Sequence, residues 1–121
     1  MNRRRLAALA LVVSTTMASL AAQQIFTSKY DVTLPVPVRE VKPVYTAAAM
    51  DARIEGKVVL DIVVLDDGKV GDVTVTESLD KEYGLDTQAV EATKQWLFKP
   101  GTKDGKPVAV RVAMEMRFTL K

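Results

Sequence analysis

Four aspartates, Asp61, Asp66, Asp67 and Asp72, crowd one stretch of the chain, and carboxylates gathered in this way suggest a calcium site. Their spacing matches no EF-hand loop, and Asp66 and Asp67 stand in a turn, where aspartate is selected for its local backbone hydrogen bonds. Glu82 and Asp86 suggest the paired carboxylates of glycoside chemistry. A solvated loop and a helix start account for both without catalysis. Trp96 suggests a ligand-stacking surface, but its place at the end of an apolar stripe reads as a core anchor. Met114 and Met116 read as core by the same logic. The 121 residues contain no His and no Cys. That excludes Ser-His-Asp hydrolysis, His-ligated metals, thiolate zinc, thiol nucleophiles and disulfides. No catalytic group, metal or cofactor is expected.

Charge narrows the partner class. The chain carries 17 Lys+Arg against 15 Asp+Glu, a formal +2. Arg3, Arg4 and Arg5 sit in an acid-free leader, so the remainder balances at 14 − 15 = −1. A near-neutral chain without a basic run has no electrostatic footprint for nucleic acid. Residues 1–22 read as a signal peptide: a basic start, the apolar run Leu6–Val13, and small residues that place cleavage after Ala21 or Ala22. The rival is a short N-terminal anchor in the inner membrane, facing the periplasm. Against it, Leu6–Ala22 holds 17 residues, four of them Ser or Thr, where a spanning helix needs ~20 mainly apolar ones. The mature chain is thus expected in the periplasm.

Any binding residues must be positioned by the elements of residues 23–121. Residues 23–40 read as an extended lead-in, because Pro35 and Pro37 alternate with Leu34, Val36 and Val38. Tyr45–Arg53 is rich in Ala and Met and predicts a helix that Gly56 ends. Lys57–Leu65 predicts a strand with Val58, Leu60, Ile62 and Val64 on one face. Asp67-Gly68 predicts a tight hairpin turn into a second strand, Val70–Ser78. Leu85, Ala89, Ala92 and Trp96 share one stripe of a helix over 85–96. Pro100-Gly101 and Asp104-Gly105-Lys106-Pro107 punctuate a loop. Val108, Val110, Val112, Met114, Met116, Phe118 and Leu120 then alternate with Ala109, Arg111, Ala113, Glu115, Arg117, Thr119 and Lys121, which predicts one long strand with a single buried face. The order α-β-β-α-β predicts an α+β domain, a three-stranded antiparallel sheet with two helices on one face.

A three-stranded sheet has two edges, and an exposed edge offers unpaired N–H and C=O groups to an added strand. Outward charges on the last strand serve either as gatekeepers against such pairing or as contacts around a captured peptide.

Lys42-Pro43-Val44-Tyr45, Ile54-Glu55-Gly56-Lys57-Val58 and Asp67-Gly68 with Val70 resemble the opening of the TonB C-terminal domain family. The resemblance continues through Leu85-Asp86, Ala89, Ala92, Trp96-x-Phe98-x-Pro100 and Gly105-x-Pro107-Val108. It covers residues 39–121. The family works in Gram-negative envelopes with the motor proteins ExbB and ExbD. Its C-terminal domain grips an N-terminal segment of outer-membrane receptors as an extra strand and drives import of siderophores, cobalamin or glycans. By resemblance, the contact regions are the edge Val108–Phe118 and the stretch before the first helix. These map to Ala109, Arg111, Ala113 and Glu115 by outward direction, and to Lys42 and Tyr45. The chain departs from the family at Lys42 and Thr46, where many relatives carry Gln and Pro. Full transducers also carry a His in a membrane anchor and a long Pro-rich spacer. Here 18 residues separate Ala22 from Val41, a reach of about 60 Å at most, so a stand-alone periplasmic module is expected rather than a complete transducer. The alternative is a structural envelope domain that self-associates as a homodimer through the same edge.

Overall fold

The computed structural model describes residues 24–27 and 30–120; the expected signal peptide lies outside the described residues. In chain order the elements are β1 (Ile25–Phe26), β2 (Val36–Arg39), α1 (Ala47–Asp51), β3 (Gly56–Val64), β4 (Val70–Glu77), α2 (Leu85–Thr93), β5 (Leu97–Lys99), β6 (Gly101–Lys103) and β7 (Lys106–Phe118). The three long strands lie in the order β7-β3-β4 and are antiparallel. Their register follows from the period-two pattern. Val58, Leu60, Ile62 and Val64 are buried with Met116 and Phe118, and Ala49 of α1 and Leu85, Ala89 and Ala92 of α2 join the same core. The α+β architecture expected from the element order therefore stands. Each buried aliphatic of that face contributes about 1.5–3 kcal/mol of transfer free energy.

The β3–β4 turn is where expected. Gly68 has φ +88°, and a Cβ there would lie 2.1 Å from the Phe98 carbonyl oxygen, so both conformation and space require glycine. The turn is closed by Gly68 N–H to Leu65 O at 2.9 Å and Leu65 N–H to Lys69 O at 2.8 Å. Phe98 N–H donates to Gly68 O at 2.8 Å, which fastens the chain after α2 to this turn.

The helices are shorter than their sequence signals. Thr46 caps α1, accepting from Ala49 N–H at 3.2 Å while its hydroxyl donates to Tyr83 O at 2.8 Å. The helix stops at Ala52, and the left-handed residue after it is Arg53 (φ 56°), not Gly56. Gly56 instead opens β3 under Leu79, whose Cδ1 would lie 2.6 Å from an added Cβ. The helix over 85–96 ends at Thr93, with Lys94 as its C-cap. Trp96 lies beyond it, because its indole N–H turns away to donate to Val41 O at 2.9 Å. Its ring stacks on Phe98, with centroids 5.9 Å apart.

Asp86 is not at a solvated helix start. It is buried, and its carboxylate accepts from Leu79 N–H at 2.9 Å, Asp80 N–H at 3.0 Å and the Ser78 hydroxyl. Burial alone would raise its pKa. The bonds from Asp80, Ser78 and Leu79, with the nearby Lys81 charge, outweigh that and hold the carboxyl below the usual carboxylate range. The neighbouring Asp80, also buried, accepts from the N–H groups of Glu82, Tyr83 and Leu85 at 3.0, 2.9 and 3.1 Å. Two buried carboxylates thus organise the loop that launches α2.

The periphery holds pairings that the long-strand reading lacks. β1 joins the outer edge of β7 as a parallel strand, Ile25 opposite Ala109 and Phe26 opposite Val110. β2 pairs with β5 in a separate ribbon, Val36 opposite Lys99 and Pro37 opposite Phe98. The stretch read as a loop after Pro100 is a hairpin: β6 pairs with the start of β7. Its turn places Asp104 at φ 53° and Gly105 at φ 80°, the two consecutive positive φ angles of a tight I′ turn.

Candidate partner-binding site

β7 is the longest strand and has two different flanks. On one side β3 accompanies it from Val110 to Phe118. β6 pairs with its start as far as Val108, and on the flank away from β3, β1 covers Ala109 and Val110. Beyond that point, from 111 to 118, no strand lies on the outer side among the described residues. The open edge is therefore the later part of the expected segment Val108–Phe118.

Ala109 does not belong to the exposed set. It is 2% exposed, because β1 runs beside it and its methyl group is too short to emerge between flanking strands. Arg111, Ala113 and Glu115 do lie exposed on the outward face. Arg111 reaches Asp61 at 3.6 Å; Glu115 reaches Lys57 at 3.6 Å and Arg117 at 3.4 Å. These are cross-strand and same-strand ion pairs at the surface, worth little stability individually. Their alternating signs place charge along an edge that would otherwise invite indiscriminate pairing.

Lys42 and Tyr45 sit at the far end of the same strand. With Pro43, Arg117, Phe118 and Thr119 they line a hollow of about 410 Å³. The Tyr45 ring meets Phe118 edge-on, centroids 5.4 Å apart. Its hydroxyl donates to the Ile54 carbonyl, and burial followed by the Glu55 charge raises its pKa above the ordinary phenol value. Tyr45 is thus a peg holding the segment before α1 onto β7, and only its ring is offered as a wall. Thr46, where many relatives carry Pro, serves as the α1 cap.

Two further hollows flank the open edge at 111–114. One, of about 390 Å³, is lined by Thr27, Leu34, Asp61, Arg111, Val112 and Ala113. The other, of about 270 Å³, is lined by Leu34, Pro35, Pro37, Ile62, Trp96, Phe98, Val112, Ala113 and Met114. Sequence reasoning had Pro35, Pro37 and Leu34 as lead-in and Trp96 as core, with no reason to join them. The signal was the Pro alternation, since a proline-bearing strand belongs at a sheet edge where it can wall a groove. Among the described residues there is no group of three or more His, Cys, Asp or Glu side chains that could hold a metal ion. No helix among them is long and apolar enough to cross a membrane.

Fold and site together define an α+β domain whose last strand is bordered by apolar and charged hollows. The sequence profile of the Gram-negative bacterial TonB protein C-terminal family matches residues 41–120, and the chain belongs to that family. The chain is similar to Protein TonB of Vibrio cholerae, 38% identical over 82 residues, covering 68% of this chain and 33% of that protein. It is similar also to Protein TonB of Xanthomonas campestris pv. campestris, 35% identical over 78 residues, covering 64% of this chain and 34% of that protein. It thus spans about a third of these curated relatives. The solution structure of the Pseudomonas aeruginosa TonB C-terminal domain superposes with a TM-score of 0.61 at 27% identity, covering 78% of this chain and 93% of that one.

Proposed function

We propose that this protein is a binding module of TonB-dependent transport across the outer membrane. It takes an extended N-terminal segment of an outer-membrane receptor as an added strand along β7. The observation that carries this reading is that, among the described residues, no strand pairs with the outer flank of β7 from 111 to 118, directly after the two positions where β1 already pairs in parallel. An extended segment laid there would satisfy the outward N–H and C=O groups, the usual source of affinity in strand addition. Arg111, Ala113 and Glu115 would face its side chains, and Lys42 with the Tyr45 ring would receive its end. Residues 1–22 act as a signal peptide, the module works in the periplasm, and ExbB/ExbD-type motor proteins act on it through an anchored partner. Catalysis has no part in this reading.

The test is an NMR titration of the isotope-labelled chain with synthetic N-terminal peptides of the host's outer-membrane receptors. Amide shifts concentrated on 111–118 are expected. An intact fold that shows no shift with any such peptide would overturn the reading. A stable dimer at micromolar concentration without peptide would favour the alternative, in which the same edge pairs with a second copy.

A further inference from the structure

Away from β7, residues of β4, of α2 and of the loop between them line a hollow of about 480 Å³ that strand capture does not use. We infer that it is a binding site for a free α-amino acid with an aliphatic side chain. Asp86 takes the ammonium, Lys81 takes the carboxylate, and the side chain lies against Val75 and Val90.

The walls come from a break in the sheet. Along β4, Glu77 pairs with Val59 and Val75 with Leu60, so Thr76 is the extra residue of a bulge. A bulge re-aims side chains that plain alternation would send to opposite faces. Val75 and Thr76, though consecutive, therefore both line the hollow. The Thr76 hydroxyl is steadied by donating to Val59 O at 3.3 Å. Val75 and, from α2, Val90 are half-buried and pack against the core, which gives the hollow an apolar side. Ser78 and Thr87 add hydroxyl groups to the lining.

Asp86 and Lys81 supply opposite charges to the same space. Asp86 is 8% exposed, and its Oδ1 accepts from Leu79 N–H and Asp80 N–H while Oδ2 accepts from the Ser78 hydroxyl. A carboxylate has about four acceptor positions, so Oδ2 keeps one for a further donor. Lys81 is exposed and acts on this carboxylate through its charge, yet makes no ion pair with it or with any other described residue. An occupant carrying the reverse pair of charges satisfies both groups. A cation alone would meet the repulsion of Lys81, and an anion alone that of Asp86. A neutral apolar molecule would strip water from both charges and pair neither. An α-amino acid carries ammonium, carboxylate and side chain on one carbon, and the hollow falls within the roughly 300–1,000 Å³ of small-molecule sites.

The probes are L-leucine and two analogues that each lack one of its charges, 3-methylbutylamine and 4-methylpentanoate. Each is titrated into the isotope-labelled chain, into Lys81→Gln and into Lys94→Gln. Lys94 is the exposed C-cap of α2 and lies outside the hollow, so it controls for a general loss of charge.

Leucine is expected to shift amides 75–78, 81 and 86–90 saturably, and to bind about tenfold or more tightly than either analogue. Lys81→Gln should bring leucine down to the level of the amine, and Lys94→Gln should leave its binding unchanged. Asp86→Asn is not the deciding variant, because that carboxylate also holds the loop before α2. Amine binding as tight as leucine would assign the hollow to the N-terminus of a peptide and overturn the inference, as would carboxylate binding as tight, which would assign it to a C-terminus. A leucine preference that survives Lys81→Gln, shifts that never saturate, or no shift in a folded chain would overturn it too. None of these outcomes bears on strand capture, which is read at 111–118.

Discussion

Val110 and Met114 occupy the same face of the same strand, four residues apart, yet one is fully buried and the other half-exposed. The alternation in sequence treats them alike. Among the described residues, β1 and β3 flank the first, whereas β3 alone flanks the second. Burial on a strand is therefore a property of its neighbours as much as of its own pattern. The early part of β7 is enclosed by the domain's own strands, and the later part has, among the described residues, β3 alone beside it.

That contrast is broken most forcefully by adding charge. Val110→Asp should cost about 4 kcal/mol or more, because a carboxylate would be buried without a partner. Met114→Asp should cost only about 1–2 kcal/mol, since its side chain already borders an open hollow. Urea unfolding of the two variants measures both, and equal losses would show that the two sites are alike.

Asp86 tests whether the two parts of β7 share one global anchor. Asp86→Ala strands three donors and should lose about 2–3 kcal/mol. Because the folded pKa of Asp86 is depressed, its contribution is present above the ordinary carboxylate value of about 3.9 and is lost as pH falls through the folded value. The urea midpoint of wild type should exceed that of Asp86→Asn at neutral pH, and the two should converge at strongly acidic pH. Amide exchange across 106–118 should accelerate uniformly in Asp86→Ala; acceleration confined to 111–118 would contradict a shared anchor.

Gly101→Ala acts locally. Its Cβ would meet Thr33 O at 2.5 Å and Val110 Cγ2 at 2.7 Å, pushing the lead-in from the sheet. A loss of about 1–2 kcal/mol is expected, with exchange rising first at Ala109 and Val110. The smallest effect belongs to Arg111→Glu. Losing one exposed ion pair should change stability by less than about 1 kcal/mol, while receptor-peptide affinity changes. Unfolding of that variant would mean that Arg111 does not face solvent.

The long elements were legible because each carried its own period or turn residue. The core face of β3 and the Asp67-Gly68 turn needed nothing beyond local chemistry. What escaped depends on residues distant in sequence. Ile25-Phe26 is too short to announce a strand, so neither β1 nor the burial of Ala109 could be read. Trp96 continued the apolar stripe of α2, but its hydrogen bond to Val41 takes it out of the helix. Asp86 looked solvated because most of its partners are backbone N–H groups, which no side-chain pattern reveals. The Asp104-Gly105 hairpin was available, since it bears the same dipeptide as the first turn. Of the candidate site, the outward direction of Arg111, Ala113 and Glu115 followed from alternation, whereas the hollow under β2 required the fold.

The register of β7 against β3 also bears on how the chain acquires its shape. β4 reaches β3 through a tight turn, but β7 pairs β3 positions dozens of residues earlier in the chain. Closing so long a loop is slow relative to hairpin formation. β3 therefore waits with one flank exposed until the last segment arrives, and that interval is when a nascent or exported chain is most prone to cross-pairing. Refolding should accordingly show β4 amides protected before those of β7. The longest strand of the sheet is then the one whose arrival completes the domain.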